Sequence, residues 1–296
     1  KFIKTKFREK GLLTPILFTS SIHANKDTTY GKTKLQAEKQ LIKLKNEIKN
    51  PVFIFRLPGV FGKWCKPNYN SVVATFCFNI SRGIPIRIDS LEKELSLVYV
   101  DDLVKKIENH ILSKTDGPLN QDIIPRYKIT LKELSDSLYK FREIDELNNI
   151  PKTGSGFIRA LYSTYISYLP EEKFSYPLKK FEDKRGIFSE IIKTEDSGQF
   201  SFFTINKGSK RGCHYHHTKS EKFLIVDGKV KFTFLNILTK RKLNILADSN
   251  NLQIVNSIPG WYHDIENIGE STSLVFLWTN EVYDPKIPDT FNYNLE

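Results

Sequence analysis

The sequence predicts an α/β half followed by an all-β half, on three observations. From residue 1 to about 150, short apolar runs alternate with amphipathic stretches, the rhythm of strands joined by helices. From Tyr176 onward, β-branched and aromatic segments are parted by Gly, Asp and Asn turns, as in a sandwich or barrel. Between them, residues 151–175 mix Pro, Gly and Ser with tyrosines, and read as an inter-domain connector holding one short helix. At 296 residues the chain can bury both cores.

In the first half, residues 15–21 (PILFTSS) read as a buried strand. Residues 31–48 follow as a helix, with Leu35, Leu41, Leu44 and Ile48 on one broad apolar face. Residues 52–57 (VFIFRL) form a strand with one buried face, and residues 71–81 a helix that stops at Gly83 as its C′ residue. A strand over 95–100 leads to a helix reaching about Leu112, capped by Asp101 or Asp102. Thr130-x-x-Glu133 is a capping box opening a helix to Phe141. In the second half, strands are expected over 199–205, 230–237, 252–258 and 273–279.

Composition removes several classes. Hydrophobic residues make up 40% and charged residues 27%, as in ordinary globular proteins. No stretch nears the roughly 18 apolar residues of a membrane span, and no signal peptide opens the chain. Cys65, Cys77 and Cys213 form no CxxC pair and are odd in number, so a reducing cytoplasm is expected. The net charge of +11 is spread through every segment, which argues for solvated faces over nucleic-acid binding and leaves room for steering an anionic substrate. The chain starts at Lys1 and has no methionine, so it is expected to be less than a complete reading frame.

The segment from Gly208 to Gly228, GSKRGCHYHHTKSEKFLIVDG, carries chemistry. On a strand, residues two apart share a face, so His214 and His216 project together while Cys213 points away as a core cysteine. Glu221 follows a short turn, and His263 is expected to bring a fourth ligand from a strand on the facing side. Three imidazoles and a carboxylate suit Zn, Mn, Fe, Ni or Cu. The spacing G-x5-H-x-H-x4-E-x6-G resembles the first cupin motif, and Gly260-x2-His263-x3-Asn267 the second, with Pro259 one place later than usual. The resemblance implies a cupin barrel over 176–296 with His214, His216, Glu221 and His263 as metal ligands.

In the α/β half, Tyr30 and Lys34 lie four apart at a helix start, so they stack on one face. An ammonium beside a phenol eases release of its proton, and a serine at the strand end can bond the same carbonyl oxygen. The segments 15–34, RLPGVFG (56–62) and VYVDD (98–102) resemble extended short-chain dehydrogenases/reductases in order and spacing. That resemblance implies a Rossmann-like domain over 1–150. Ser21, Tyr30 and Lys34 take its catalytic places, with Tyr30, Lys34, Leu57 and Pro58 along the NADPH nicotinamide. Asn68, Asn70 and Arg87 line its sugar-nucleotide pocket. No GxxGxxG segment occurs, so the first βα units of that domain are expected to be missing, and with them the cofactor's diphosphate cradle.

The whole chain, through residues 61–77, 161–170, 216–224 and 280–290, resembles the bifunctional capsular polysaccharide enzymes that join such a reductase to a cupin. The resemblance implies a UDP-linked 4-keto-2-acetamido-2,6-dideoxy sugar as substrate, on the route to UDP-N-acetyl-L-fucosamine. It also implies C3 epimerisation at a Zn-bearing cupin, C4 reduction with NADPH, and a homodimer. Two alternatives compete: a non-catalytic sugar-binding cupin beside a degenerate reductase, and a metal-dependent oxygenase or isomerase built on the cupin alone.

Overall fold

The computed structural model describes residues 2–11, 13, 15–113, 120–121 and 124–295, and the chain divides into two units. Unit 1 takes Lys1–Arg142 and Gly154–Glu171; unit 2 takes Glu143–Thr153 and Glu172–Glu296. Unit 1 runs α1 (Phe2–Lys10), β1 (Ile16–Ser21), α2 (Thr29–Ile48), β2 (Val52–Leu57), β3 (Gly59–Phe61), α3 (Val72–Ser81), β4 (Glu94–Tyr99), α4 (Val100–Ser113), β5 (Asn120–Gln121), β6 (Tyr127–Thr130) and α5 (Leu131–Arg142). The chain then enters unit 2 with α6 (Ile144–Leu147) and β7 (Asn149–Ile150), and returns to unit 1 for α7 (Gly156–Ile166).

Strands β1, β2 and β5 form a parallel sheet in that order, and α2 makes the crossover that the parallel β1–β2 pair requires. A second sheet has the order β3-β4-β6. Central β2 buries Val52, Phe53, Ile54 and Phe55 in succession, so both its faces are covered, where the sequence suggested one. Phe53, Phe55 and Leu57 share a core with Val98 and Leu103. The apolar face expected on α2 is only half-buried, and the deepest long side chain of that helix is Glu38, drawn in by Arg56 of β2 and Ser20 of β1.

Helix α3 is capped by Ser71, whose hydroxyl accepts from Ala74 N–H at 3.2 Å, and Gly83 follows its end at φ 69°. Helix α4 starts at Val100, so Asp101 and Asp102 sit in its first turn instead of capping it, where their charge still favours the helix N-terminus. The capping box forms: Thr130 N–H donates to Glu133 Oε2 at 2.8 Å, and Glu133 N–H to Thr130 Oγ1 at 3.1 Å.

The segment read as a connector is part of unit 1. Helix α7 buries Ala160, Leu161, Thr164 and Tyr165, a face at helical spacing, and the Tyr165 ring lies 5.8 Å from Phe141. Composition alone hid this, because Gly154 and Pro170 bracket an ordinary amphipathic helix. Meanwhile β7, from the expected first domain, pairs with β9 of unit 2.

Unit 2 continues with β8 (Phe181–Asp183), β9 (Gly186–Thr194), β10 (Gln199–Ile205), β11 (Lys210–Tyr215), β12 (Glu221–Asp227), β13 (Lys229–Asn236), β14 (Lys242–Asp248), β15 (Ile254–Ser257), β16 (Trp261–Asn267), β17 (Ser273–Thr279) and β18 (Phe291–Asn292). One sheet has the order β15-β12-β17-β10-β9-β7, with β8 beside β9, and the other β14-β13-β16-β11-β18. Strict alternation along β10 puts Ser201, Phe203 and Ile205 inside, and Phe223, Ile225, Val230, Phe232, Phe234, Ile265 and Val275 complete the core. This is a cupin barrel preceded by a Rossmann-like α/β unit. No helix among the described residues is long and apolar enough to cross a membrane.

Candidate metal centre and reductase site

The barrel brings His214, His216, Glu221 and His263 together, one donor atom from each lying within 4.8 Å of the others. His214 sits directly opposite His263 on the neighbouring strand β16, so these two ligands share a sheet. The ligand from the facing sheet is Glu221 on β12, which corrects the expected placing of His263. Glu221 Oε2 lies 3.0 Å from His263 Nε2 and 3.3 Å from His216 Nε2.

The buried polar atoms fit a metal. His216 Nε2 and Glu221 Oε2 are buried without a hydrogen-bond partner, an arrangement that a cation bound by both would relieve. The other nitrogens are engaged: His216 Nδ1 meets the Asp289 carbonyl oxygen, and His263 Nδ1 meets Ser257 Oγ at 2.9 Å. With those Nδ1 atoms as donors, each Nε2 keeps its lone pair for a metal. Burial, then the neighbouring His263, pushes His214 down to about 3, so its imidazole is neutral. Burial alone would raise Glu221, but the two imidazoles outweigh it and keep the carboxylate ionised.

A cavity of about 330 Å³ opens against this cluster. His214, Glu221 and His263 line it, whereas His216 is fully buried behind them. Phe188, Phe203, Phe223 and Leu277 give it apolar walls, and Arg185 and Arg211 are its other charged residues. A donor cluster with three of its members facing such a space suits a metal that works on a ligand.

Strand β11 is not regular. Its register against β16 shifts between Gly212 and His214, and Cys213 is the extra residue, at φ 67°. Arg211 and His214 are three apart and would point to opposite faces of an unbroken strand, yet both line the cavity. Gly212 allows the close strand approach, since a Cβ there would come within 2.8 Å of the His263 carbonyl oxygen. Cys213 stands outside the metal cluster, as expected, but is half-buried in the bulge and not a core cysteine.

Sequence reasoning also missed Asp289. Its carboxylate accepts from the N–H groups of His217 (2.9 Å), Thr218 (2.7 Å) and Lys219 (2.8 Å), clamping the turn between His216 and Glu221. Burial raises its affinity for a proton, yet these donors prevail and hold it below the usual carboxylate range. We expect Asp289→Ala to weaken metal binding by about 10–100-fold, read by competition against a chelating dye. Unchanged affinity would mean that the turn holds itself.

In unit 1 the Tyr30–Lys34 pair forms. Lys34 Nζ lies 5.7 Å from the Tyr30 ring centre and donates to Thr19 O at 3.0 Å. Tyr30 is 55% exposed, and Thr28 caps its helix by accepting from Gly31 N–H. Ser21 is buried at the end of β1, where its hydroxyl accepts from His23 N–H at 3.1 Å and keeps its own proton to donate. A cavity of about 470 Å³ is lined by Ile22, His23, Lys26, Gly59, Val60 and Asn70 among others. Asn70 is thus in its wall, while Leu57 and Pro58 are buried just before the lining pair Gly59–Val60. Asn68 and Arg87 lie outside the wall: Asn68 N–H bonds Thr75 Oγ1 at 2.9 Å, and Arg87 pairs with Asp89 at the surface.

Comparison with known proteins agrees with this two-unit picture. Residues 13–122 match the NAD dependent epimerase/dehydratase family, and residues 181–291 match the polysaccharide biosynthesis C-terminal domain. UDP-2-acetamido-2,6-beta-L-arabino-hexul-4-ose reductase of Pseudomonas aeruginosa is 48% identical over 284 residues, covering 96% of this chain and 76% of that protein. The crystal structure of capsular polysaccharide assembling protein CapF from Staphylococcus aureus aligns with a TM-score of 0.92 at 41% identity, over 97% of this chain and 80% of that one. CapF with the inhibitor 3-isopropenyl-tropolone gives a TM-score of 0.86 at 40% identity, over 96% and 79% of the two chains.

Proposed function

Because this chain belongs to the same family as UDP-2-acetamido-2,6-beta-L-arabino-hexul-4-ose reductase and CapF, we propose that it is a nucleotide-sugar enzyme of capsular polysaccharide biosynthesis. In this reading the substrate is a UDP-linked 4-keto-2-acetamido-2,6-dideoxy sugar. The barrel epimerises C3, and unit 1 then reduces the C4 ketone with NADPH, on the route to UDP-N-acetyl-L-fucosamine. The observation that carries the first step is the cluster of four donors, three of which line an open cavity.

A divalent metal, with Zn as the first choice, would supply Lewis acidity for loss of a proton next to a ketone. His214, His216, Glu221 and His263 would hold it. Ser257 and Asp289 orient two of the imidazoles, and Phe188, Phe203 and Phe223 give the cavity apolar walls. Beyond the ligands, the cavity's lining residues include no acid or base other than Arg185 and Arg211. That observation favours a second reading, a sugar-binding cupin without chemistry.

In unit 1, NADPH would supply the hydride, and the Tyr30–Lys34 pair fits the nicotinamide end of such a cofactor. Tyr30 gives its proton to the C4 oxygen, Ser21 orients that oxygen, and Lys34 holds the ribose hydroxyls. Tyr30→Phe is expected to lower NADPH oxidation with the 4-keto sugar at least ~100-fold while leaving the barrel's metal content unchanged. Retained reduction would remove Tyr30 from the mechanism. The three free cysteines and the nucleotide-sugar substrate suit a cytoplasmic enzyme, and we take its working form as a homodimer, to be checked by light scattering.

A further inference from the structure

We infer that Arg185 and Arg211 form an anion subsite in the barrel cavity, one that grips the diphosphate of a nucleotide-linked substrate. The inference rests on the nucleotide-sugar reading above and assigns the part of the ligand that the metal does not touch. Both guanidinium groups line the same cavity as His214, Glu221 and His263.

Arg211 is held but not satisfied. Its side chain is only 13% exposed, and its Nε donates to Thr204 O at 2.9 Å. Its Nη2 is buried with no hydrogen-bond partner, and the nearest carboxylate oxygen, Asp183 Oδ1, is 3.8 Å away. A buried charged donor left open is costly, so the fold keeps an interaction in reserve for something anionic. The bulge at Cys213 is what aims this side chain into the cavity, and a one-residue deletion there would turn it out.

Arg185 sits on the hairpin tip between β8 and β9, fixed from three sides. Asp183 accepts from its Nη2 at 2.6 Å and from its backbone N–H at 2.8 Å. Its carbonyl accepts from Asn206 N–H at 2.8 Å, and Ile187 N–H reaches Thr204 Oγ1 at 2.8 Å. Gly186, at φ 131°, admits this contact because a Cβ would stand 2.5 Å from Thr204 Oγ1. Thr204 therefore holds Arg211 directly through its carbonyl, and its hydroxyl holds Ile187, two residues from Arg185.

The charge balance points the same way. Asp183 offsets one arginine, and Glu221, the one acid lining the cavity among the described residues, is committed to the metal cluster. One guanidinium charge and the metal's own charge are left for a ligand. Guanidinium forks match phosphate oxygens in pairs, while the facing Phe188, Phe203, Phe223 and Leu277 suit the carbon face of a sugar.

The test uses the full chain loaded with one equivalent of Mn²⁺ and dialysed, with UDP as probe and ³¹P NMR as readout. Phosphorus held in the barrel is broadened by the paramagnetic ion, and metal-free His214→Ala protein supplies the diamagnetic baseline. Wild type is expected to broaden both phosphorus lines. Arg211→Gln should reduce that broadening at least ten-fold with Mn²⁺ still bound. Arg185→Gln changes only the hairpin tip and keeps the test open should Arg211→Gln fail to fold. Equal broadening in wild type and both variants, or none in Mn²⁺-loaded wild type, would overturn the subsite. Failure of the metal centre itself would be seen separately, as absent Mn²⁺.

Discussion

Chelation is expected to destabilise unit 2 by about 4 kcal/mol for a metal present at a thousand times its Kd, and to leave unit 1 unchanged. The reason is local. Without a cation, Glu221 Oε2 and His216 Nε2 are buried without a hydrogen-bond partner, 3.3 Å apart. His263→Ala should start from the lowered midpoint and show no response to chelator. Scanning calorimetry with and without EDTA checks this, and identical traces for wild type would contradict it. Acid should act in the same direction. Burial pushes His214 of the metal-free fold down to about 3 from about 6.5 unfolded, so the unfolded chain binds the extra proton between those values. That contribution to the stability of the metal-free barrel is therefore complete above about pH 6.5 and declines as pH falls toward 3.

Glu38→Ala is expected to cost unit 1 about 3–5 kcal/mol. Glu38 is 2% exposed and accepts from Arg56 Nη2 at 2.6 Å and Arg56 Nε at 3.0 Å, with Ser20 Oγ donating to the same carboxylate. The trio ties α2 to β1 and β2, the elements that carry Tyr30, Lys34 and Ser21. Removing the carboxylate strands an arginine and a serine together. Burial by itself raises the Glu38 pKa, but the Arg56 and Ser20 hydrogen bonds prevail and lower it. Its contribution is thus complete above about pH 4.5, the unfolded value, and is lost as pH falls through the lowered folded one. The double variant Glu38→Leu/Arg56→Leu should recover most of the loss in urea titration. A single-variant effect below about 1 kcal/mol would place the pair among ordinary surface bridges.

Much of this was legible in the chain because spacing alone decides it. His214, His216, Glu221 and His263 stand in a pattern that only a few strand arrangements satisfy, and the barrel unites them. The Tyr30–Lys34 pair is equally local, a single helical turn. What escaped depends on pairings distant in sequence. Asp289 reaches the ligand turn from 70 to 72 residues away, and Glu38 meets Arg56 across a crossover. Arg211 was hidden by a different cause: alternation along β11 assigns it to the wrong face, and the bulge at Cys213 that reverses the assignment has no strong sequence mark beyond Gly212. Segment 151–175 misled because its Gly and Pro flank a helix whose partners, α3 and α5, are far upstream.

We propose that the barrel is an autonomous metal-dependent epimerase. Its most direct test is proton NMR of this chain with the UDP-linked 4-keto-6-deoxy-N-acetyl sugar in deuterated water, with no NADPH. Deuterium is expected to enter at C3, and the exchange to be lost on adding chelator and in His214→Ala. Absence of exchange at C3 with metal bound in full would contradict it and leave the barrel as a sugar-binding module.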